Sequence, residues 1–194
     1  MGAVCTEVLV ALKYLHLEQS TVHRDVKAAN VLLTASAQVK LADFGIATSF
    51  QDITQTVIGT PHWMAPEVQP TSPTLATTSH HRHHLSPSPT LRYPSLPLRH
   101  PCATPAPPLR QVISGAGYDA RVDVWSLGIS AIEMSLGSPP FYQLDAMPTM
   151  FQVVTGPSPT LPPEQLVALG SSTSAAALLS AFVARCVIKV RRSE

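Results

Sequence analysis

One run of eight residues, His23-Arg24-Asp25-Val26-Lys27-Ala28-Ala29-Asn30, packs an acid, a basic partner and an amide between two apolar segments. A second carboxylate, Asp43, follows 13 residues past Asn30 and is trailed by Phe44-Gly45. Asn30 and Asp43 are both hard oxygen donors. Two such side chains at one place can share a divalent ion, and Mg²⁺ takes one or two protein ligands while leaving its other positions to water and phosphate oxygens.

The surrounding pattern must bring them together. Val31-Leu32-Leu33 and Val39-Lys40-Leu41 flank Thr34-Ala35-Ser36-Ala37, which predicts a short hairpin. Asn30 precedes the hairpin and Asp43 follows it, so both fall at the same end. Upstream, Cys5, Val8, Leu12 and Leu15 repeat at three and four residues and predict a helix over 1–17. The start Met1-Gly2-Ala3-Val4-Cys5-Thr6 also fits the N-myristoylation pattern, although the helical stripe already accounts for Cys5. Ile46 to Thr60 lacks periodicity and is expected as an exposed loop, with Thr48, Ser49, Thr54, Thr56 and Thr60 as hydroxyls open to phosphate.

Val122 to Met134 is apolar nearly all round, the mark of a helix at the centre of a domain. Gly137 stops it. A short helix over 146–154 ends at Gly156-Pro157. Leu178, Leu179, Phe182, Val183, Cys186, Val187 and Val190 form a last helical stripe.

Composition excludes several classes. Net charge is +1 over 194 residues, which offers no general electrostatic case for nucleic acid or an anionic membrane. Three scattered cysteines, Cys5, Cys102 and Cys186, suggest neither a zinc site nor a disulfide framework; a reducing, cytoplasmic setting is expected. No apolar run approaches a membrane span, since Ala175 to Val190 is broken by Arg185 and Lys189.

Ten of the 19 prolines fall within 69–112, a stretch with no Gly, Lys, Asp or Glu and with five of the eight histidines. Such a stretch cannot build a core and is expected to be a separate, disordered or polyproline-like insertion. It divides the chain into 1–68, 69–112 and 113–194. Pro94-Ser95-Leu96-Pro97-Leu98-Arg99 and Pro105-Ala106-Pro107-Pro108-Leu109-Arg110 carry the spacing that docks SH3-type aromatic grooves, giving a possible SH3-type partner for 94–110. His80, His81, His83 and His84 read more readily as solvated side chains than as a metal site.

The order H-R-D-x-K-x-x-N, then D-F-G, then Ala65-Pro66-Glu67, resembles the signature of protein kinases. Val57-Ile58-Gly59-Thr60-Pro61-His62-Trp63-Met64-Ala65-Pro66-Glu67 and Trp125-Ser126-Leu127-Gly128-Ile129-Ser130-Ala131-Ile132-Glu133-Met134 resemble most the Ste20-like serine/threonine branch, of germinal-centre and Hippo type. The resemblance implies an α+β fold of kinase type, reduced to the mainly helical large lobe with the small β-rich lobe absent. It implies transfer of the ATP γ-phosphoryl, with Mg²⁺, to a Ser or Thr hydroxyl of a protein.

By resemblance, Asp25 accepts or orients the proton of the acceptor hydroxyl, and Lys27 neutralises charge on the moving group. Asn30 and Asp43 hold the metal. Arg24 senses a phosphate on the activation loop, where Thr56 is the implied phosphosite. Thr60 helps fix the acceptor hydroxyl, and Asp123 and Glu67 support the structure.

The departures matter too. Without a Gly-rich loop or a lysine strand, weak or no activity is expected of this chain alone. Joining Val68 to Ile113 restores a continuous kinase sequence, as a retained intron at 69–112 would allow. Glu67 is expected to lack the arginine partner it has in relatives. The competing reading is a non-catalytic kinase-like scaffold that presents the proline segment.

Overall fold

The computed structural model describes residues 1–49, 59–68 and 119–189. Thr54, Thr56, Cys102 and the whole of 69–112 lie outside the described residues, as do the expectations placed on them.

The chain opens with α1, Gly2–Leu17. Cys5, Val8 and Leu12 are its buried positions, the stripe expected from the spacing. Cys5 is therefore a core residue. Four short strands follow: β1, Thr21–Val22; β2, Val31–Leu33; β3, Val39–Leu41; and β4, Thr48–Ser49. β2 and β3 form the expected hairpin, with Val31 opposite Leu41 and Leu33 opposite Val39. β1 and β4 pair antiparallel, Val22 opposite Thr48. That second pairing corrects the expectation of a loop throughout 46–60. Two-residue strands carry too little alternation to be seen in a sequence window.

The helices of the second half are α2, Arg121–Leu136; α3, Ala146–Thr155; α4, Pro163–Ala168; and α5, Thr173–Cys186. α2 is the axis of the fold. All but one of its residues from Val122 to Ile132 are buried, Asp123 included. A helix buried on every side must satisfy its polar groups internally. Ser126 and Ser130 do so: each hydroxyl donates one turn back, to the Val122 and Ser126 carbonyls. Trp63 O and Val26 O lie within reach of the same two hydroxyl protons, which each serine shares between its two acceptors. The serines thus tie α2 to the loops on either side.

Two apolar clusters meet on α2. In one, Leu127 joins Val8, Leu12 and Val26, with the hairpin residues Val31, Val39 and Leu41 packed against them. In the other, Trp125, Ile129 and Ile132 join Cys5, Met64, Ala65, Val153, Leu166, Val183 and Cys186. Of the last helical stripe, Val183, Cys186 and Val187 are core, whereas Leu178 is 71% exposed. Lys189 closes the C-terminal end of α3 by donating to Val154 O at 3.1 Å and Gly156 O at 2.5 Å. No helix among the described residues is long and apolar enough to cross a membrane.

Candidate active site

The loop between β1 and β2 gets its shape from α2. Asp123, fully buried, accepts the His23 backbone N–H on Oδ2 and the Arg24 backbone N–H on Oδ1, both at 2.8 Å. His16, in the last turn of α1, approaches the same Oδ2 at 2.7 Å through Nε2. One carboxylate therefore fixes α1, the loop and α2 together. Arg24 sits at φ 70°, a region uncommon for a side chain of its size. Its held N–H, and the Nε donation to Ile46 O, maintain that conformation.

With the backbone so fixed, Asp25 points into a ring of donors. Lys27 Nζ reaches Asp25 Oδ2 at 2.6 Å, and Thr60 Oγ1 donates to Asp25 Oδ1 at 2.8 Å. Lys27 Nζ also donates to Thr60 Oγ1 at 3.0 Å, closing a triangle. Asn30 Nδ2 donates to Asp25 O at 2.8 Å and to Asp25 Oδ2 at 3.1 Å. Burial pushes the Asp25 carboxyl up; the hydrogen bonds from Lys27, Thr60 and Asn30, with the Lys27 charge, outweigh it and hold the group below its ordinary range. Asp25 is thus an anion, oriented by three side chains that are 2, 5 and 35 residues away.

Asn30 spends its amide nitrogen on Asp25, so Oδ1 is the atom it offers to a cation. The hairpin returns Ala42 N to Asn30 O at 2.9 Å, which sets Asp43 one residue beyond that bond. Asp43 is exposed and takes φ 65°, a conformation that Asp tolerates better than most residues. Its Oδ1 accepts Gly45 N at 3.2 Å. One amide oxygen and one exposed carboxylate make a hard, two-residue donor set, which fits Mg²⁺ in chemistry and number. No group of three His, Cys, Asp or Glu that could hold a metal occurs among the described residues.

Three supporting residues carry roles that the sequence pattern does not assign. His23 Nε2 lies 3.1 Å from Ala42 O, and its Nδ1 accepts the Asp25 backbone N–H at 3.3 Å. Those two bonds select the Nε2–H tautomer. The same ring packs on Phe44 at 4.9 Å between centroids, joining the Asp25 loop to the Asp43 segment. Glu133 Oε2 accepts Ala28 N at 3.0 Å and Trp63 Nε1 at 2.9 Å. It thereby locks the residue after Lys27 to the turn that follows Thr60. His16 completes the set. The available signal for Glu133 was an acid in the last turn of an apolar helix; for His16 there was none.

Gly59, at φ 132°, lets the Thr60 segment run close beneath the loop; a Cβ there would stand 2.9 Å from Arg24 O. Arg121, at the start of α2, has its pKa raised by the Asp119 hydrogen bond first, and the Glu67 charge contributes as well.

Among known proteins, the protein kinase domain family matches residues 1–81. The chain is similar to the serine/threonine-protein kinase KIC1 of Saccharomyces cerevisiae, 33% identical over 164 residues, which cover 83% of this chain and 11% of that protein. It is 36% identical over 163 residues to the serine/threonine-protein kinase cst-1 of Caenorhabditis elegans, 82% of this chain and 24% of that one. With the serine/threonine-protein kinase Tao of Drosophila melanogaster it shares 35% over 162 residues, 84% of this chain and 12% of that one. The chain spans between about a tenth and a quarter of the length of these relatives.

Proposed function

From a chain that belongs to the protein kinase family, on its Ste20-like serine/threonine side, we propose a part in phosphoryl transfer from ATP to a Ser or Thr hydroxyl of a protein. The observation that carries the reading is the Lys27–Asp25–Thr60 triangle. An ionised carboxylate, a cation and a hydroxyl are pre-set around one point.

Phosphoryl transfer asks for positioning and charge compensation more than for covalent help. Asp25 accepts or orients the proton of the acceptor hydroxyl, and Thr60 holds the other face of that carboxylate. Lys27 compensates charge on the transferred group. Asn30 and Asp43 would hold Mg²⁺, which would supply charge compensation for the ATP phosphates. Arg24 and Thr56 make the phosphate-sensing pair. The units are 1–68 and 113–194, separated by the insertion 69–112, whose proline motifs are open to an SH3-type partner. The setting is cytoplasmic; the buried free thiols of Cys5 and Cys186 accord with a reducing compartment.

Mg²⁺-dependent ATP binding by calorimetry, weakened tenfold or more in Asp43→Asn, is the expected result. Any phosphate transferred is expected on Ser or Thr and lost in Asp25→Asn. Binding indifferent to Mg²⁺ and to Asp43, or transfer that survives Asp25→Asn, overturns the reading.

A further inference from the structure

α1 is apolar on every side, yet only one side is covered. Acidic and basic residues appear in it only as Glu7, Lys13 and His16. A helix apolar all round belongs inside a fold. Cys5, Val8 and Leu12 are inside. Val10, Tyr14 and Leu17, spaced four and three residues apart, share the other side and are 58%, 41% and 40% exposed. Ala3, Thr6, Glu7 and Lys13 are exposed around them. Glu7 and Lys13 make no hydrogen bond or ion pair among the described residues.

We propose that this face pairs with the same face of a second copy of the chain, α1 against α1, antiparallel about a two-fold axis at Val10. Residues equally far from Val10 then lie level. Val10 meets Val10, and Ala3 meets Leu17 of the second copy, small against large. At about 100° per residue, Glu7 and Tyr14 lie on one flank of Val10, and Thr6 and Lys13 on the other. An antiparallel two-fold lays each flank on its own copy with the ends reversed. Glu7 therefore comes beside Tyr14 of the second copy, and Lys13 beside Thr6.

The donors and acceptors left open on each copy fit that arrangement. Tyr14 Oη accepts from Gln19 Nε2 at 2.9 Å, which leaves its own proton for a carboxylate. Thr6 Oγ1 spends its proton on Gly2 O at 3.0 Å, which leaves a lone pair for an ammonium. Like charges stay about 9 Å apart along the axis. Glu18 stands at the C-terminal end of its own helix, where the dipole opposes an acid. It falls level with the first turn of the second copy, which has no acid and no side-chain cap. A face complementary to its own reverse is what an isologous contact requires, and an unrelated partner gives no reason for it. Sixteen residues make a contact only about 24 Å long, so the dimer is a reversible one that grows with concentration.

The test uses the full chain, sedimented over a concentration series. A monomer–dimer equilibrium is expected, weakened about tenfold or more in Val10→Glu, which sets two carboxylates against each other at the axis. Glu favours a helix more than Val does, so α1 still forms in that variant, as a thermal melt by circular dichroism should show. Cysteine pairs report the direction. In a Cys102→Ser background, Val10→Cys should cross-link to itself with a short bismaleimide. Ala3→Cys and Leu17→Cys should cross-link when mixed, and neither alone. Cys5 and Cys186 are buried and stay unlabelled. A monomer up to the limit of solubility, a dimer indifferent to Val10→Glu, or Ala3→Cys linked to itself overturns the proposal.

Discussion

Asp123 Oδ1 accepts the backbone N–H of Arg24 at 2.8 Å across 99 residues of chain. Its other oxygen takes the N–H of His23 and meets His16. The carboxylate is fully buried. Asp123→Ala strands two buried amide donors and a histidine at once. Each stranded group costs about 1–3 kcal/mol, so a loss of at least about 3 kcal/mol is expected in urea unfolding, seen as a lower midpoint at unchanged slope.

The Asp25 carboxyl is held below its ordinary 3.8, despite burial, by its three donors and the Lys27 charge. A depressed folded value means that the folded state favours the anion. The stabilisation is fully present above the unfolded value and disappears as pH falls through the folded one. Acid unfolding followed below pH 4 should therefore show a smaller loss in Asp25→Asn than in the parent chain. A carboxyl signal for Asp25 in an NMR titration should move only below the ordinary aspartate range.

Glu133 joins Ala28 N to Trp63 Nε1. Glu133→Ala releases the turn after Thr60 from the residue after Lys27 and loosens the triangle without touching it. The proposed phosphoryl transfer is expected to fall by about tenfold or more, since small misplacements at a reacting centre are costly. Glu133→Gln, which keeps one acceptor oxygen, should recover part of it. Equal rates in both variants would contradict this role.

α2 and α5 touch where Gly128 offers no side chain. A Cβ there would sit 2.6 Å from Cys186 Cβ and 2.9 Å from Val187 Cγ1. Ala favours a helix over Gly by about 1 kcal/mol. Overpacking costs about 1–3 kcal/mol or more, and Cys186 Cβ, fixed to the backbone, cannot swing away. Gly128→Ala should lower Tm, against its helix propensity.

Burial raises the Cys186 thiol to about 11, with the Cys5 charge adding to it, and burial likewise raises Cys5. Neither forms appreciable thiolate near neutral pH. Iodoacetamide at pH 8 should leave both unmodified in the folded chain, by mass spectrometry, and modify both in denaturant.

The long periodic elements were legible in the sequence. α1, the hairpin, α2, α3 and α5 each follow from spacing, and Asn30 and Asp43 fall at one hairpin end as the turn between them requires. β1 and β4 were not legible, because two residues carry no period and their pairing is set by Asp123 and Arg24 from outside. α4 escaped because six residues beginning at Pro163 look like loop. Leu178 fits the stripe but faces out, since α5 meets its neighbours mainly through Ala176, Val183 and Cys186. Within the site, the residue types of Asp25, Lys27, Asn30 and Asp43 were plain from spacing. His16, His23 and Glu133 were not, because each acts on backbone or on a side chain distant in sequence.

The bond from Asp123 to the loop also has a meaning in time. At about 5–20 residues per second, the ribosome completes His23 and Arg24 roughly 5–20 seconds before it reaches their acceptor 99 residues on. The Asp25 loop therefore leaves the ribosome without the group that shapes it. Closing a loop of that length is slow relative to forming α1 or the hairpin. The site is thus the last part of its own half to take form during synthesis, and any chain released before α2 carries the sequence of the loop without its geometry.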